Sequence, residues 1–463
     1  MIQVIANGVQ MRRFFIYLLV SILCCNMLFS SGQAEVEDVT YVQDEPTVIR
    51  IWTLDRHDAS FWMERIDEYN RTNTHGIKVV YEIYTDNYWS AVDMAFRAGN
   101  APDILRYDPG LDKYLFQDKF ADLIPFMGNE LKELTHEGWH DGINYIDGKL
   151  YCIFTGRGFA RLFFNQTLFD EMGLNPPSTL EELLETARII TETRGDEGIY
   201  GFACNLDSAQ NGLKRSFEPM VELGTGIRFG YDFGRGVYDF SPYIPYLQAW
   251  KELMQYALPG CNSLGIDLLR RHFAAGKIGM YISYAQAEPG VYDLQFPMKD
   301  GQTYGCVDIP VIGGIRNGLQ GGGGTPAYYL NRESENLDKA WIAYSELFLD
   351  FGNLVERFES NLGISNLKAV IEASNLSEKY TKYPDLLVDP EYDVIYPKTL
   401  EEKYPDEFIV EGMDMFEVFN AIISGKIDVE LGVEDLTRRY NEVNERLIES
   451  GRERVVDSNF ARQ

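Results

Sequence analysis

This chain is poor in the residues that reactive or nucleic-acid-binding proteins rely on. Its 463 residues contain only five His and six Cys. The cysteines form no CxxC pair, so they offer no metal or redox motif. Cys152, Cys204, Cys261 and Cys306 lie far apart after residue 100. Four such cysteines allow three pairings, and buried free thiols are the equal alternative. There is no GxSxG elbow for a serine hydrolase. The glycine run Gly321–Gly324 lacks the following Lys-Ser/Thr of a phosphate-binding loop. Cations are few, with 42 Lys+Arg against 71 Asp+Glu and a net charge of −29. That balance argues against nucleic acid and anionic membrane surfaces as partners. After residue 29 no apolar run approaches the ~20 residues of a membrane-spanning helix.

What is present begins with a processing segment. Arg12 and Arg13 precede an apolar stretch from Phe14 to Phe29, followed by small residues at Gly32 and Ala34. This pattern predicts a secretory signal peptide over 1–34, cut after Ala34. Cys24 and Cys25 raise a lipid anchor as the alternative. Leu23 and Cys24 are poor residues to precede a modified cysteine, so the expected product is a released periplasmic or extracellular protein. Residues 35–46 are acidic and aperiodic and read as a flexible leader. The rest is long enough for two lobes with separate cores.

From Thr47 the chain reads strand, helix, strand, helix, strand. TVIRIWT (Thr47–Thr53) is a strand, and Ser60–Thr72 is a helix with Phe61, Ile66 and Tyr69 inward. Ile77–Ile83 is a strand, Tyr88–Ala98 a helix ending at Gly99, and Asp103–Tyr107 a third strand. Such a run implies a parallel sheet with ligand sites at the carboxyl ends of its strands. Residues 148–164 are aromatic and β-branched, with Gly156-Arg157-Gly158 inside, and read as two strand pieces joined by a bend. Pro176-Pro177 then precedes a helix capped by Ser178 or Thr179, with Glu181 and Glu182 in its first turn. Its apolar stripe is Leu180, Leu183, Leu184, Ala187 and Ile190.

The motifs GKLYCIF, RLFFNQTLFDEMGL, PPSTLEEL and GIYGF occur in this order over 148–202. Upstream stand Gly76-Ile77-Lys78-Val79 and Gly99-Asn100-Ala101-Pro102-Asp103-Ile104. Downstream come Phe273–Ile282, DIPVIGG at 308–314, TPAYYLNRES, and NAIISGKIDVEL at 420–431. Taken together, over about residues 47–450, the chain resembles the extracellular solute-binding proteins of ABC transporters, in the carbohydrate-binding, maltose-binding-protein-like branch. Two departures are Leu180, where the family usually has Trp, and the missing Pro after LYCIF. The resemblance implies an α/β, two-lobed periplasmic-binding-protein fold with a hinge and an inter-lobe ligand cleft. It places 47–156 and 323–365 in lobe 1 and 157–322 in lobe 2, with 366–463 as C-terminal helices mainly on lobe 2. It implies reversible capture of a sugar or oligosaccharide, a membrane permease as partner, a monomer, and no enzymatic step, cofactor or metal. A non-sugar solute is the alternative, with a zinc-dependent or glycoside hydrolase as the rival enzymes.

Aromatic side chains are 13% of the chain, including 29 Tyr. Part of that is core, and the remainder would suit stacking on the apolar C–H faces of sugars. Strand ends supply the candidate ligand residues. Trp52 closes the first strand, with Asp55 just beyond it, and has an equal claim as core. Tyr88 and Trp89 begin a helix after a strand, and one of the two is expected in the core. Asp108 ends the third strand, as a hydroxyl acceptor or a turn cap. Arg157 lies between glycines at the expected lobe crossing, where its fork could hold vicinal hydroxyls or a carboxylate, or form an inter-lobe salt bridge. Tyr284 and Gln286 follow the buried strand Met280–Ile282, and the backbone of Gly323 allows close ligand approach. Trp62, Trp250 and Trp341 sit at apolar helical spacing and are assigned to core. The pentad HEGWH at 136–140 fits a zinc-protease helix. Gly138 weakens that helix by ~1 kcal/mol. Asp141-Gly142 then cuts it short, and His57, His75 and His272 lack the spacing of a third ligand.

Overall fold

The computed structural model describes residues 45–84, 87–376 and 378–460. The expected signal peptide and nearly all of the expected leader lie outside these residues.

Strand β1 (Thr47–Thr53) turns Ile49 and Ile51 to one face of its sheet and Trp52 to the other, as its period of two requires. It is followed by α1 (Ala59–Thr72), β2 (Ile77–Ile83) and α2 (Tyr88–Ala98). Gly99 ends α2 with φ of 68°, a left-handed cap that glycine adopts without a Cβ penalty. Strand β3 (Ile104–Arg106) and a short helix α3 (Asp112–Phe116) come next. β1 pairs parallel with both β2 and β3, so all three carboxyl ends open on one edge. The helices cover both sides. Trp62 and Ile66 lie with Ile49 and Ile51 in one core, and Tyr88 and Val92 lie with Trp52 and Leu105 in the other.

The chain then leaves this lobe through β4 (Arg157–Gly158) and β5 (Ala160–Asn165). Of the two strand pieces expected on either side of Gly156–Gly158, the second is β5, whereas the first is a strand only at Lys149–Leu150 and residues 151–155 are not a strand. After a short helix over Gln166–Met172 comes α4 (Leu180–Arg194). Thr179 caps it through a capping box with Glu182. Leu183, Ala187 and Ile190 of α4 are fully buried, and each large apolar side chain so placed contributes about 1.5–3 kcal/mol. Strand β6 (Tyr200–Phe202) precedes α5 (Ala209–Ser216), α6 (Glu218–Thr225) and α7 (Ile266–Ala274). Strands β7 (Ile278–Tyr284) and β8 (Tyr304–Val307) complete a second sheet of order β8-β5-β7-β6.

Strand β9 (Gly323–Gly324) leads back, and β10 (Tyr328–Leu330) adds to the first sheet antiparallel to β3, giving the order β10-β3-β1-β2. Helix α8 (Leu337–Phe348) packs on the first lobe. Helix α9 (Phe351–Glu359), expected wholly in lobe 1, is shared. Its Leu354 and Phe358 join the second core, while Arg357 bonds Asp58 of the first lobe at 2.9 Å. The rest of the chain, including α10 (Leu400–Lys403), α11 (Met415–Ile423) and α12 (Val429–Glu449), packs into the second core from Leu367 to Leu447.

Three passages between lobes run side by side. The Thr325 N–H donates to Gly156 O and the Arg157 N–H to Ile364 O, both at 2.9 Å. β4 pairs antiparallel with β9, and the Ser365 hydroxyl donates to Thr155 O. A Cβ on Gly156 would collide with the carbonyl oxygens of Thr325 and Ile364, so only glycine lets the three chains lie this close. Among the described residues, Cys152, Cys204, Cys261 and Cys306 are free and buried, with no disulfide between them. Burial pushes the Cys204 thiol up to about 12.

Candidate inter-lobe binding site

The strand ends of both sheets face a cleft of about 260 Å³, lined in part by the first two of the three passages. The first lobe contributes Arg106, Tyr107, Asp108 and Phe154, from the end of β3 and the run before β4. The second contributes Glu222, Arg228, Phe229, Tyr284 and Gln286. Gly158, Gly321–Gly324 and Thr325 present the hinge itself, and Tyr396, Lys398 and Glu402 complete the lining. The lobes also touch outside the cleft. Arg56 pairs with Asp267 at 3.1 Å, and the Gln295 amide donates to Arg56 O at 3.1 Å. This is a closed arrangement, with both halves of the site facing one volume.

Each charged group in the cleft is held by a partner, with one exception. Asp55 binds Arg106 Nε at 2.9 Å, and Arg106 also donates to Thr325 Oγ1 at 3.0 Å and to Tyr107 O. Burial opposes the charge on Arg106, but Asp55 outweighs it and the guanidinium stays firmly protonated. Lys398 meets Asp112 at 2.8 Å, and both are buried. Burial raises the Asp112 carboxyl, with Lys398 opposing. Arg228 lies between Glu222 at 3.6 Å and Glu402 at 3.5 Å. The exception is Lys214, which is exposed at the rim with its ammonium over the Phe229 ring at 5.6 Å. Beneath Glu222 sits Glu218, which accepts hydrogen bonds from the Tyr243 hydroxyl at 2.6 Å and from the Phe229 N–H. Burial first, and then Glu222, raises the Glu218 carboxyl. Glu222 is raised by burial, with Arg228 opposing.

The structure brings four of the eight expected residues into the cleft: Asp108, Tyr284, Gln286 and Gly323. Asp108 is also the turn cap, because its Oδ1 accepts from the Gly110 N–H at 2.8 Å and from Trp89 Nε1 at 2.9 Å. Tyr284 lies under the Arg215 guanidinium, 4.7 Å from its ring centre. The Oε1 of Gln286 is buried without a hydrogen-bond partner. Gly323 pairs across to Gly158 and leaves its backbone open.

The other four stand elsewhere. Trp52 is only 8% exposed, donates to Glu82 at 2.7 Å and packs on Tyr84. It is a core residue of the sheet face. Asp55 faces Arg106 rather than the cleft. Tyr88 is fully buried, and its hydroxyl donates to Arg106 O at 2.7 Å. Its neighbour Trp89 is the exposed one of that pair, at 43%. Arg157 turns away from the cleft toward His140, with Nη2 to Nε2 at 3.4 Å. Burial and Arg157 together depress the His140 imidazole to about 4.

The HEGWH pentad is not a helical zinc motif. α-Helix ends at Thr135, His136–Gly138 is a tight 3-10 turn, and Trp139 is extended. The two histidines therefore do not share one face a helical turn apart. Among the described residues no three His, Cys, Asp or Glu side chains gather as a metal site.

Sequence reading missed Arg106, Tyr107, Phe154, Arg228, Phe229 and Lys398. Arg106 and Tyr107 end β3 beside Asp108 and could have been found from strand position. Arg228 and Phe229 follow the end of α6 with no motif, and Phe229 takes a left-handed φ of 48°. Only folding reveals them.

Two α/β lobes, joined by three short passages and closing on one shared cleft, define a hinged ligand-capture protein. The profile of the bacterial extracellular solute-binding protein matches residues 55–351, and this chain belongs to that family. Solved structures share the fold at low identity. An ABC transporter solute-binding protein from Thermotoga lettingae, bound with α-D-tagatose, is 17% identical with a TM-score of 0.68, covering 86% of this chain and 99% of that one. RafE in complex with raffinose is 15% identical with a TM-score of 0.65, covering 86% and 100%. The GacH receptor of Streptomyces glaucescens, solved unliganded and with acarbose, is 16% identical with a TM-score of 0.66, covering 86% and 98%. Among the described residues no helix is long and apolar enough to cross a membrane.

Proposed function

We propose that this chain is the extracytoplasmic capture component of an ABC importer and that its solute is a neutral saccharide. The observation that carries this reading is the makeup of the closed cleft. Aromatic rings from both lobes (Tyr107, Phe154, Phe229, Tyr284) stand among hydrogen-bonding groups whose charges, Lys214 at the rim apart, are already held by partners. Paired ions offer oriented donors and acceptors without demanding a charged ligand, which is what a ring of hydroxyls needs. Ring faces supply the apolar surface for sugar C–H groups. The buried, unpartnered Oε1 of Gln286 would accept one hydroxyl. Asp108 and Arg106 serve the first lobe in the same way, and the backbone of Gly323 lies within reach at the hinge. Raffinose, tagatose and acarbose in the structures of similar fold support the same class of ligand.

Binding is reversible and the solute leaves unchanged. A ligand held by both lobes favours the closed form, because only differential affinity shifts the open–closed balance. The closed form then docks as a monomer on a membrane permease. The Arg12–Ala34 segment supports secretion into the periplasm or the extracellular space. No catalytic step is assigned.

A thermal-shift screen of sugars, peptides, organic acids and polyamines tests this, followed by calorimetry and product analysis. The expected result is stabilisation by at least one neutral saccharide and none by the other classes. Stabilisation only by a charged or peptide solute would overturn the ligand class. Turnover of a bound sugar would overturn the capture role.

A further inference from the structure

One segment of the cleft lining is anchored in both lobes. Residues 393–403 come after the last passage between lobes, and their apolar side chains Tyr396 and Leu400 pack in the second core. They nevertheless reach across to the first lobe. The Lys398 ammonium enters that lobe, 2.8 Å from Asp112 and 3.3 Å from Ile143 O, and lies over the Phe116 ring. Phe116 also stacks on Tyr404 with centroids 6.4 Å apart. Asp112 is in turn bonded by the Tyr329 hydroxyl at 3.0 Å.

The base of the segment is as firmly held. Asp393 and Val394 pair with Gln320 and Gly321, next to the hinge glycines, and the Gly322 N–H donates to Val394 O at 2.8 Å. Arg161 of β5 clamps Asp393 with two nitrogens, and also bonds Gln320 at 2.8 Å and Asp385 O at 2.7 Å. At the far end Glu402 pairs with Arg228 and closes the capping box with Thr399. The strap is thus fixed at its root, its middle and its end, with the middle anchor in the opposite lobe. Ile395, Tyr396, Lys398 and Glu402 line the cleft directly.

We propose that the 393–403 strap, pinned by the Lys398–Asp112 ion pair, is the element that sets ligand length, stopping one end of the cleft so that the protein takes a saccharide of one or two rings and rejects longer chains. This rests on the saccharide reading above and deepens it. The cleft is about 260 Å³, just below the roughly 300–1,000 Å³ usual for small-molecule pockets. A cleft between lobes is open along its length by construction, so a long glycan could run through it. Here Ile395, Tyr396, Lys398 and Glu402 of a segment anchored in both lobes belong to the cleft lining itself. An elongating sugar must displace either Tyr396, whose hydroxyl donates to Leu319 O at 3.0 Å, or a buried ion pair. Neither yields cheaply.

The test is calorimetry with one sugar series from one to five units, built from whichever saccharide the thermal-shift screen identifies. The full chain is compared with the Asp112→Asn/Lys398→Met double variant, which removes both charges together so that neither is left buried alone. The native protein is expected to bind one- or two-unit members best and to lose at least tenfold for each longer one. The double variant is expected to narrow that loss, with far-ultraviolet circular dichroism showing that it is folded. Native affinity that keeps rising through four or five units would overturn the proposal, as would a folded double variant with the native length preference. If no saccharide of any length stabilises the native protein, it is the saccharide reading that fails instead.

Discussion

The Asp55–Arg106 pair makes a sharp demand on the fold. Asp55 lies at the mouth of β1 and Arg106 at the end of β3, with side chains 8% and 12% exposed and a Nε–Oδ2 distance of 2.9 Å. Asp55→Asn keeps the shape and removes the charge. Arg106 then stands buried with only Tyr107 O and Thr325 Oγ1 as partners. Breaking a buried pair from one side costs about 3–5 kcal/mol. The two remaining acceptors put the expected loss near the lower end, about 3 kcal/mol. For a unit of roughly 150–250 residues that is a fall in Tm of about 6–12 °C. Urea unfolding and calorimetry of Asp55→Asn, Arg106→Met and the double variant form a cycle. The double variant should regain much of the loss, because no charge is left alone. The single variant should also bind saccharide more weakly, since Arg106 is no longer aimed beside Asp108. If Asp55→Asn unfolds within about 0.5 kcal/mol of the native protein, or the double variant is no better than the single, Asp55 does not hold Arg106 in the way described.

Three further outcomes follow from the same geometry. Gly158→Ala puts a methyl into the Gln286 side chain, which must swing from its place. The saccharide Kd should rise about tenfold, or 1.4 kcal/mol, with little change in Tm, whereas an unchanged Kd would show that Gln286 does not touch the ligand. Tyr284→Ala removes a stacking face worth about 0.5–1.5 kcal/mol beyond its buried area. Calorimetry should show about a tenfold weaker Kd, and equal affinity would exclude Tyr284 as a stacking platform. Glu218, Glu222 and Glu401 all have carboxyls raised by burial, Glu401 to about 7 with Glu402 adding to it. The unfolded chain ionises these groups near 4.5, while the folded protein keeps its protons to higher pH. The unfolded state then binds fewer protons, so this contribution weakens as pH rises from about 4.5 toward the folded values. Glu218→Gln should flatten the fall in stability between pH 5 and 7 by up to about 1.4 kcal/mol per pH unit. An unchanged slope in urea titrations would refute the assignment.

Much of the fold was legible because it is local. The period-two pattern of Thr47–Thr53, the turn at Gly99 and the helix start after Pro176-Pro177 each act within a few residues, and each stands where reading the chain puts it, with Thr179 the cap of the two residues offered. The alternation of strand and helix led to a parallel sheet and so to Asp108, and the end of the buried strand around Met280–Ile282 led to Tyr284 and Gln286, all of which face the cleft. Position at a strand end does not say which way a side chain turns. Trp52 and Tyr88 went to the core because apolar area and a waiting acceptor, Glu82 or Arg106 O, held them there. Asp55 was taken by a cation 51 positions away, and Arg157 by His140. Lys398 lies 286 residues after Asp112, and no spacing rule connects them. Local composition and periodicity were enough to specify the elements and their order. Which charges neutralise one another, which rings face the solute, and where the cleft stops all depend on partners far apart in the chain, and these meet only once the two lobes have packed.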